Sequence, residues 1–289
     1  MHAEIIIKKD RLKKYREKTF CYIPRKRLRS KQDAIDFVNS RGAVFFWPIK
    51  GIEFPSLWGG VAGNRDVPNN HDDPAHVTWG WKDDLLGKKA WYYAKILKQK
   101  STIISMDMVP NFYALSPNYG NPEEDYLISY QEGVLSSEEK FVYEALLNNG
   151  QMDTLLLRKA ANLSSPENTS RFNRALLLLQ RDFRILPVGI SESGAWHYAF
   201  IFDAVHRHFP DLIDQAHAIS EARARQEILM SFFISVGAGT RSNIKKLFQW
   251  DDVSIERTIR TLIEMNFIVG NIRITDKPGD WFTIKELID

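Results

Sequence analysis

Cysteine is almost absent: Cys21 stands alone among 289 residues, which excludes an internal disulfide and any cysteine-based zinc site. Long apolar runs are missing too. No stretch approaches a bilayer-crossing helix, and residues 1–10 lack the apolar centre of a secretory leader. A cytoplasmic chain with no membrane partner is therefore expected, nucleoid-associated if it binds DNA. An excess of one sign of charge is nearly absent, since 39 Lys/Arg against 36 Asp/Glu leave a formal net of only +3, and 44% hydrophobic with 26% charged residues is ordinary folded-protein composition. No cofactor is expected. The length allows two or three domains.

The small net charge hides an asymmetry. Residues 1–31 carry twelve Lys/Arg against Glu4, Asp10 and Glu17, a net of +9, which leaves −6 on the remainder. Two readings stay open: an arm that tracks phosphates, with Arg25, Lys26 and Arg27 as contacts, or a solvated, partly helical tail.

The most informative stretch runs from Ser170 to Phe200. Phe172, Leu176, Leu179 and Phe183 recur at the spacing of one buried helical face, and Arg171, Asn173, Arg174 and Arg181 fall elsewhere on the helix. Pro187 ends the helical pattern, and Ile185-Leu186-Pro187-Val188 reads as a strand. Gly189 to Gly194 forms a hairpin loop, and Ala195 to Phe200 alternates like a return strand. Upstream, Ser136-Ser137-Glu138-Glu139 opens a helix that stops at Asn148-Asn149-Gly150, and Asp153 caps a second over Thr154 to Ala161. Helix, helix, helix and hairpin make a winged helix-turn-helix.

The plan recurs near the carboxy terminus. Helices are expected over Glu221–Val236 and Arg241–Phe248, and a third from Ser254. Without a gap, Ser170 aligns with Ser254, Asn173 with Arg257, Asp182 with Asn266 and Phe183 with Phe267; one extra residue then brings Trp196 onto Trp281. Such a duplication supports both copies. Lys245, Lys246, Arg257 and Arg260 become candidate DNA contacts beside Arg171, Asn173 and Arg174. The alternative is a charged helix face that is merely solvated, or a module docked against protein.

The first half is less regular. Lys31 to Arg41 reads as a helix stopped by Gly42, Ala43 to Ile49 as an extended apolar run, and residues 88–108 as a hairpin. Between them lies the polar loop 63–76, of a length and composition often tied to function. Its Asp72, Asp73 and His71 are the candidate catalytic groups; turn formation before Pro74 explains the same aspartates without catalysis. Metal binding by His71, Asp72, Asp73 and His76 lacks a fixed ligand spacing, so no metal is expected. Trp47, Trp58 and Trp79 are candidates for stacking on a base, with core packing as the alternative.

Several of these segments together resemble the AlkZ-related (YcaQ-type) family, whose characterised members are DNA glycosylases acting on alkylated or crosslinked bases. The resemblance is carried by Gly42-Ala43-Val44-Phe45-Phe46-Trp47-Pro48-Ile49-Lys50, Leu57-Trp58, His71-Asp72-Asp73-Pro74 and Trp91-Tyr92-Tyr93. Ser170-Arg171-Phe172-Asn173-Arg174-Ala175-Leu176 and Ile185-Leu186-Pro187-Val188-Gly189 complete it. It implies a mainly helical α+β fold of tandem winged helix-turn-helix modules around a concave, basic DNA-binding face. The expected division is a basic arm (1–30), a divergent first winged helix (31–130), a second (131–210) and a third (211–289). The family's active members carry Gln-x-Gln or Gln-x-Asp in the strand after the first helix. Matched on Gly42, those positions are Phe45 and Trp47, which cannot act as a base or hold water as a carboxamide or carboxylate does.

The expected function is binding of double-stranded DNA, damaged or intact, by a monomer related to these glycosylases. The alternatives are an active N-glycosylase using carboxylates of the 63–76 loop, a transcriptional regulator, or an interaction scaffold.

Overall fold

The computed structural model describes residues 5–118, 120–194 and 196–288. Its elements in chain order begin with β1 (Ile5–Ile7), α1 (Lys9–Thr19), α2 (Lys31–Arg41), β2 (Ala43–Phe45), α3 (Leu57–Ala62) and α4 (Val77–Leu85). There follow β3 (Tyr92–Lys95), β4 (Ser101–Ile104), α5 (Val109–Tyr113), α6 (Asp125–Gln131), α7 (Ser137–Asn149), β5 (Met152–Asp153) and α8 (Thr154–Ala160). Next come α9 (Thr169–Arg181), β6 (Ile185–Ser191), β7 (Ala199–Ala204), α10 (Val205–His208) and α11 (Leu212–His217). The last are α12 (Glu221–Val236), β8 (Ala238–Gly239), α13 (Arg241–Phe248), α14 (Asp252–Glu264), β9 (Ile268–Ile274) and β10 (Lys277–Ile284). The fold is α+β and mainly helical, with small sheets. No helix among the described residues is long and apolar enough to cross a membrane.

Two compact units make up the chain. Unit 1 comprises Met1–Gly80, Ile103–Met108 and Ala222–Asp289; unit 2 comprises Trp81–Thr102 and Val109–Glu221.

In unit 2, Ser136 and Glu139 close a capping box at the start of α7, and Asp153 accepts from the backbone N–H groups of Leu155 and Leu156 to start α8. The helix α9 buries Phe172, Leu176 and Leu179, as its spacing predicts, in a core with Val142, Leu146, Leu157 and Phe202. Its sheet has the order β5-β7-β6, all antiparallel. The hairpin differs from expectation in its bounds: β6 extends to Ser191, and β7 begins only at Ala199. Trp196 and His197 lie in the turn, with His197 at φ 49° and Trp196 90% exposed.

Unit 1 repeats the arrangement. Helix α12, strand β8, helices α13 and α14 and the hairpin β9–β10 follow one another, and β8 and β9 flank β10 as β5 and β6 flank β7. This order is consistent with a winged helix-turn-helix in each unit. Two alignment details need correction. The left-handed residue after the third helix is Phe183 (φ 55°) in one copy and Asn266 (φ 57°) in the other, one place out of the gapless register. Trp281 is buried in β10, opposite Ile272, so it is not the counterpart of the exposed Trp196.

The basic amino-terminal segment is folded into unit 1. β1 adds to the sheet, parallel to β9, with Ile5 opposite Ile272 and Ile7 opposite Ile274. From α1, Arg16 is buried and donates through Nε to Val236 O (3.0 Å) and Nη2 to Ala238 O (3.0 Å). Tyr15 Oη donates to Ile234 O (2.7 Å) and Thr19 Oγ1 to Ser235 O (2.7 Å). These side chains satisfy Ile234 O, Ser235 O and Val236 O, which the end of α12 leaves without intrahelical donors, and Ala238 O of β8.

Candidate functional site

The loop 63–76 is organised by one charge pair. Arg65 Nη2 lies 2.7 Å from Asp73 Oδ1, and the same oxygen accepts from the Ala75 N–H (2.9 Å), so Asp73 caps the short 3-10 turn Pro74–His76. The Arg65 guanidinium beside it, with the Ala75 N–H, holds the Asp73 carboxyl below its usual range. A carboxylate committed in this way is a poor proton acceptor. Asp72 is exposed, and its N–H donates to Asn70 Oδ1 (3.2 Å). His71 is also exposed, its ring tilted against Trp79 at 6.0 Å. Among the described residues no group of three or more His, Cys, Asp or Glu is placed to hold a metal ion.

Beneath the loop lies an aromatic cluster. Trp47, which follows β2, meets Trp58 of α3 at 6.0 Å, His76 at 5.7 Å and Trp79 of α4 at 5.7 Å. The rings of His76 and Trp79 stack at 4.8 Å, and Arg65 sits over Trp58 at 4.8 Å. The structure thus brings Trp47, Trp58, Trp79, His71 and Asp73 into one neighbourhood. It also separates the stacking candidates: Trp58 is 0% exposed, Trp47 is half-buried, and Trp79 is 37% exposed. Only Trp47 and Trp79 present any surface to a ligand. Phe45 is 1% exposed within β2.

Sequence reasoning passed over His76 except as a weak metal ligand. Its Nδ1 is 3.2 Å from His71 O, and because a carbonyl only accepts, Nδ1 carries the proton. Nε2 is buried and has no hydrogen bond among the described residues. A histidine five residues after another, across a Pro turn, was the available signal.

The arginine candidates occupy the exposed sides of the two third helices. On α9, Arg171 is exposed and lies 3.5 Å from Glu138, while Asn173 and Arg174 are exposed. On α14, Arg257 and Arg260 are exposed, opposite the buried Ile255, Ile259 and Leu262. The lysines of α13 are more committed. Lys245 pairs with Asp252 (2.8 Å), and Lys246 Nζ donates to Gly51 O (2.7 Å). Arg25, Lys26 and Arg27 are exposed on and just after the 3-10 turn Pro24–Lys26 and line a cleft of about 680 Å3.

Comparison with known proteins adds the following. The sequence pattern of the family described as AlkZ related matches residues 28–249. None of the curated proteins compared with the chain by sequence is significantly similar. Among solved structures, the Streptomyces sahachiroi DNA glycosylase AlkZ has a similar fold, with a TM-score of 0.55 at 11% identity, over 96% of this chain and 69% of that one. With more than half of its length matched by the family pattern, this chain belongs to the AlkZ-related family.

Proposed function

We propose that this chain binds double-stranded DNA through two winged-helix modules, within residues 131–210 and 211–289, and does so without the water-activating pair of its glycosylase relatives. One observation carries the reading: both third helices, α9 and α14, bury their apolar stripe and turn arginines to solvent. Arg171, Arg174, Arg257 and Arg260 are all exposed. Guanidinium groups on such helices reach phosphates and base edges, and the 3.5 Å Arg171–Glu138 contact, with its guanidinium exposed, is cheap to give up. Phe45 and Trp47 support binding over family-type hydrolysis, since one is packed in a strand and the other in an aromatic cluster. Trp47 and Trp79 are the residues proposed to meet an unstacked base.

The test uses matched unmodified and alkylated duplexes, with anisotropy for binding and strand cleavage after alkali for base loss. Salt-sensitive binding without abasic product is expected. Absence of affinity even at low salt would overturn the reading.

A second reading is base excision from the 63–76 loop. It is favoured by the placement of His76, bearing a bare Nε2, against Trp47, the residue at the second motif position. Abasic product that disappears in Asp72→Asn or His76→Gln, with binding retained, would establish it in place of the binding-only reading.

A further inference from the structure

We infer that the cleft framed by the end of α1, the Pro24–Lys26 turn and α2 is a second, sequence-independent DNA site that takes the phosphodiester backbone of a strand; this rests on the DNA-binding reading above. The cleft, of about 680 Å3, is lined by Lys18, Arg25, Lys26, Arg27, Arg29 and Arg41, with Asp33 and Asp36 as its carboxylates. Both carboxylates are engaged elsewhere. Asp33 accepts from the Arg29 and Ser30 N–H groups (2.8 and 3.1 Å) as part of the α2 capping box, and Asp36 accepts from Gln32 Nε2 (2.9 Å). Among the described residues, Lys18, Arg25, Lys26 and Arg27 form no ion pair. Six cations against two carboxylates leave the cleft lining with an excess of positive charge, which holds solution anions whose release on contact with a polyanion drives association.

The charges are mounted on a folded frame. The Lys26 N–H donates to Ile23 O (2.7 Å), and the Leu28 N–H donates to Gly60 O (3.0 Å), fixing the turn to α3. Gly63 has φ +80°, and a Cβ there would lie 2.6 Å from Arg27 Nη2, so the guanidinium packs on bare backbone. Arg41 Nη1 donates to Ile234 O (3.1 Å). The cations are spread along three successive segments, which suits a run of phosphates. Lys18 through Arg27 precede the family match, which starts at residue 28, whereas Arg29 and Arg41 lie within it.

The experiment measures the full chain with a fluorescent duplex and with a second duplex of unrelated sequence, from about 50 to about 300 mM salt. The variants are Arg25→Ser/Lys26→Ser/Arg27→Ser and, in case Arg27 supports the Gly63 backbone, Lys18→Ser/Arg25→Ser/Lys26→Ser. If three phosphates are contacted, the slope of log K against log salt becomes shallower by about 2.7 in each variant, equally for both duplexes. Wild-type binding with an unchanged slope in both variants overturns the cleft and leaves the helix-based reading standing. Loss confined to one duplex sequence overturns it also. A wild-type chain that binds neither duplex removes the DNA-binding reading itself.

Discussion

Asp73 shows how a residue chosen for chemistry is put to structural use. Its carboxylate joins Arg65 to the start of the Pro74–His76 turn, and Arg65 in turn covers the Trp58 ring. The sequence marked both Asp73 and the tryptophans but not the bond between them, because an eight-residue separation inside an irregular loop has no period to read. Burial was equally hidden: Trp47 and Trp58 are alike in type and each follows an apolar residue, yet only one retains exposed surface. The pH response follows from the depressed Asp73 pKa. Its stabilising contribution is complete above the ordinary carboxylate value of about 3.9 and is lost as pH falls through the lower folded value. Tryptophan emission from the wild type should therefore hold steady from neutral pH down to about pH 4 and shift to the red below it. Asp73→Ala should show the shifted emission already at neutral pH. Identical spectra for the two proteins at neutral pH would mean that the Arg65–Asp73 bond does not hold the loop over the cluster.

At the scale of elements, the helices were legible and their surroundings were not. Capping signals gave α7 and α8 nearly to the residue, since Ser136, Gly150 and Asp153 act locally. The hairpin after α9 was misplaced by four residues because its alternating pattern continues through Trp196 and His197, where the backbone turns. The repeat slipped at the end of the third helix for a related reason. Asn enters the left-handed region readily and Phe does not, so Phe183 gives no sign of the role it shares with Asn266. Least visible of all was the partner of α1. A helix of sequence KDRLKKYREKT reads as a solvated basic face, yet Arg16 reaches Val236 O at the end of α12 and Ala238 O in β8, and meets Glu53 Oε2 at 2.9 Å. Burial pulls its pKa down and Glu53 opposes that pull. Replacing Arg16 with Met preserves much of the volume but leaves Val236 O and Ala238 O without a donor. A loss of about 3 kcal/mol is expected in denaturant unfolding, read as a lower midpoint at unchanged slope. A change within about 0.5 kcal/mol would show that water replaces the guanidinium at no cost and that α1 is not anchored through this residue.

For the whole molecule, a net charge of +3 is too small to attract DNA by itself, so any affinity must come from where the cations are held. The two repeated modules allow that to be dissected, because their arginines lie in different units. Each exposed arginine that neutralises a phosphate adds about 0.9 to the steepness of the salt dependence. Arg171→Ser/Arg174→Ser should therefore flatten the slope by about 1.8, and Arg257→Ser/Arg260→Ser by a similar amount. Removal of all four should flatten it by about 3.6 if both modules contact one duplex at once. Should one pair change nothing while the other accounts for the whole effect, the silent module serves another purpose, and protein docking becomes its reading. None of the four side chains is buried, so melting temperatures of the variants should match the parent protein. A flattened slope can then be assigned to lost phosphate contacts, since a folding defect would lower the fraction of active protein without altering the salt dependence of what remains.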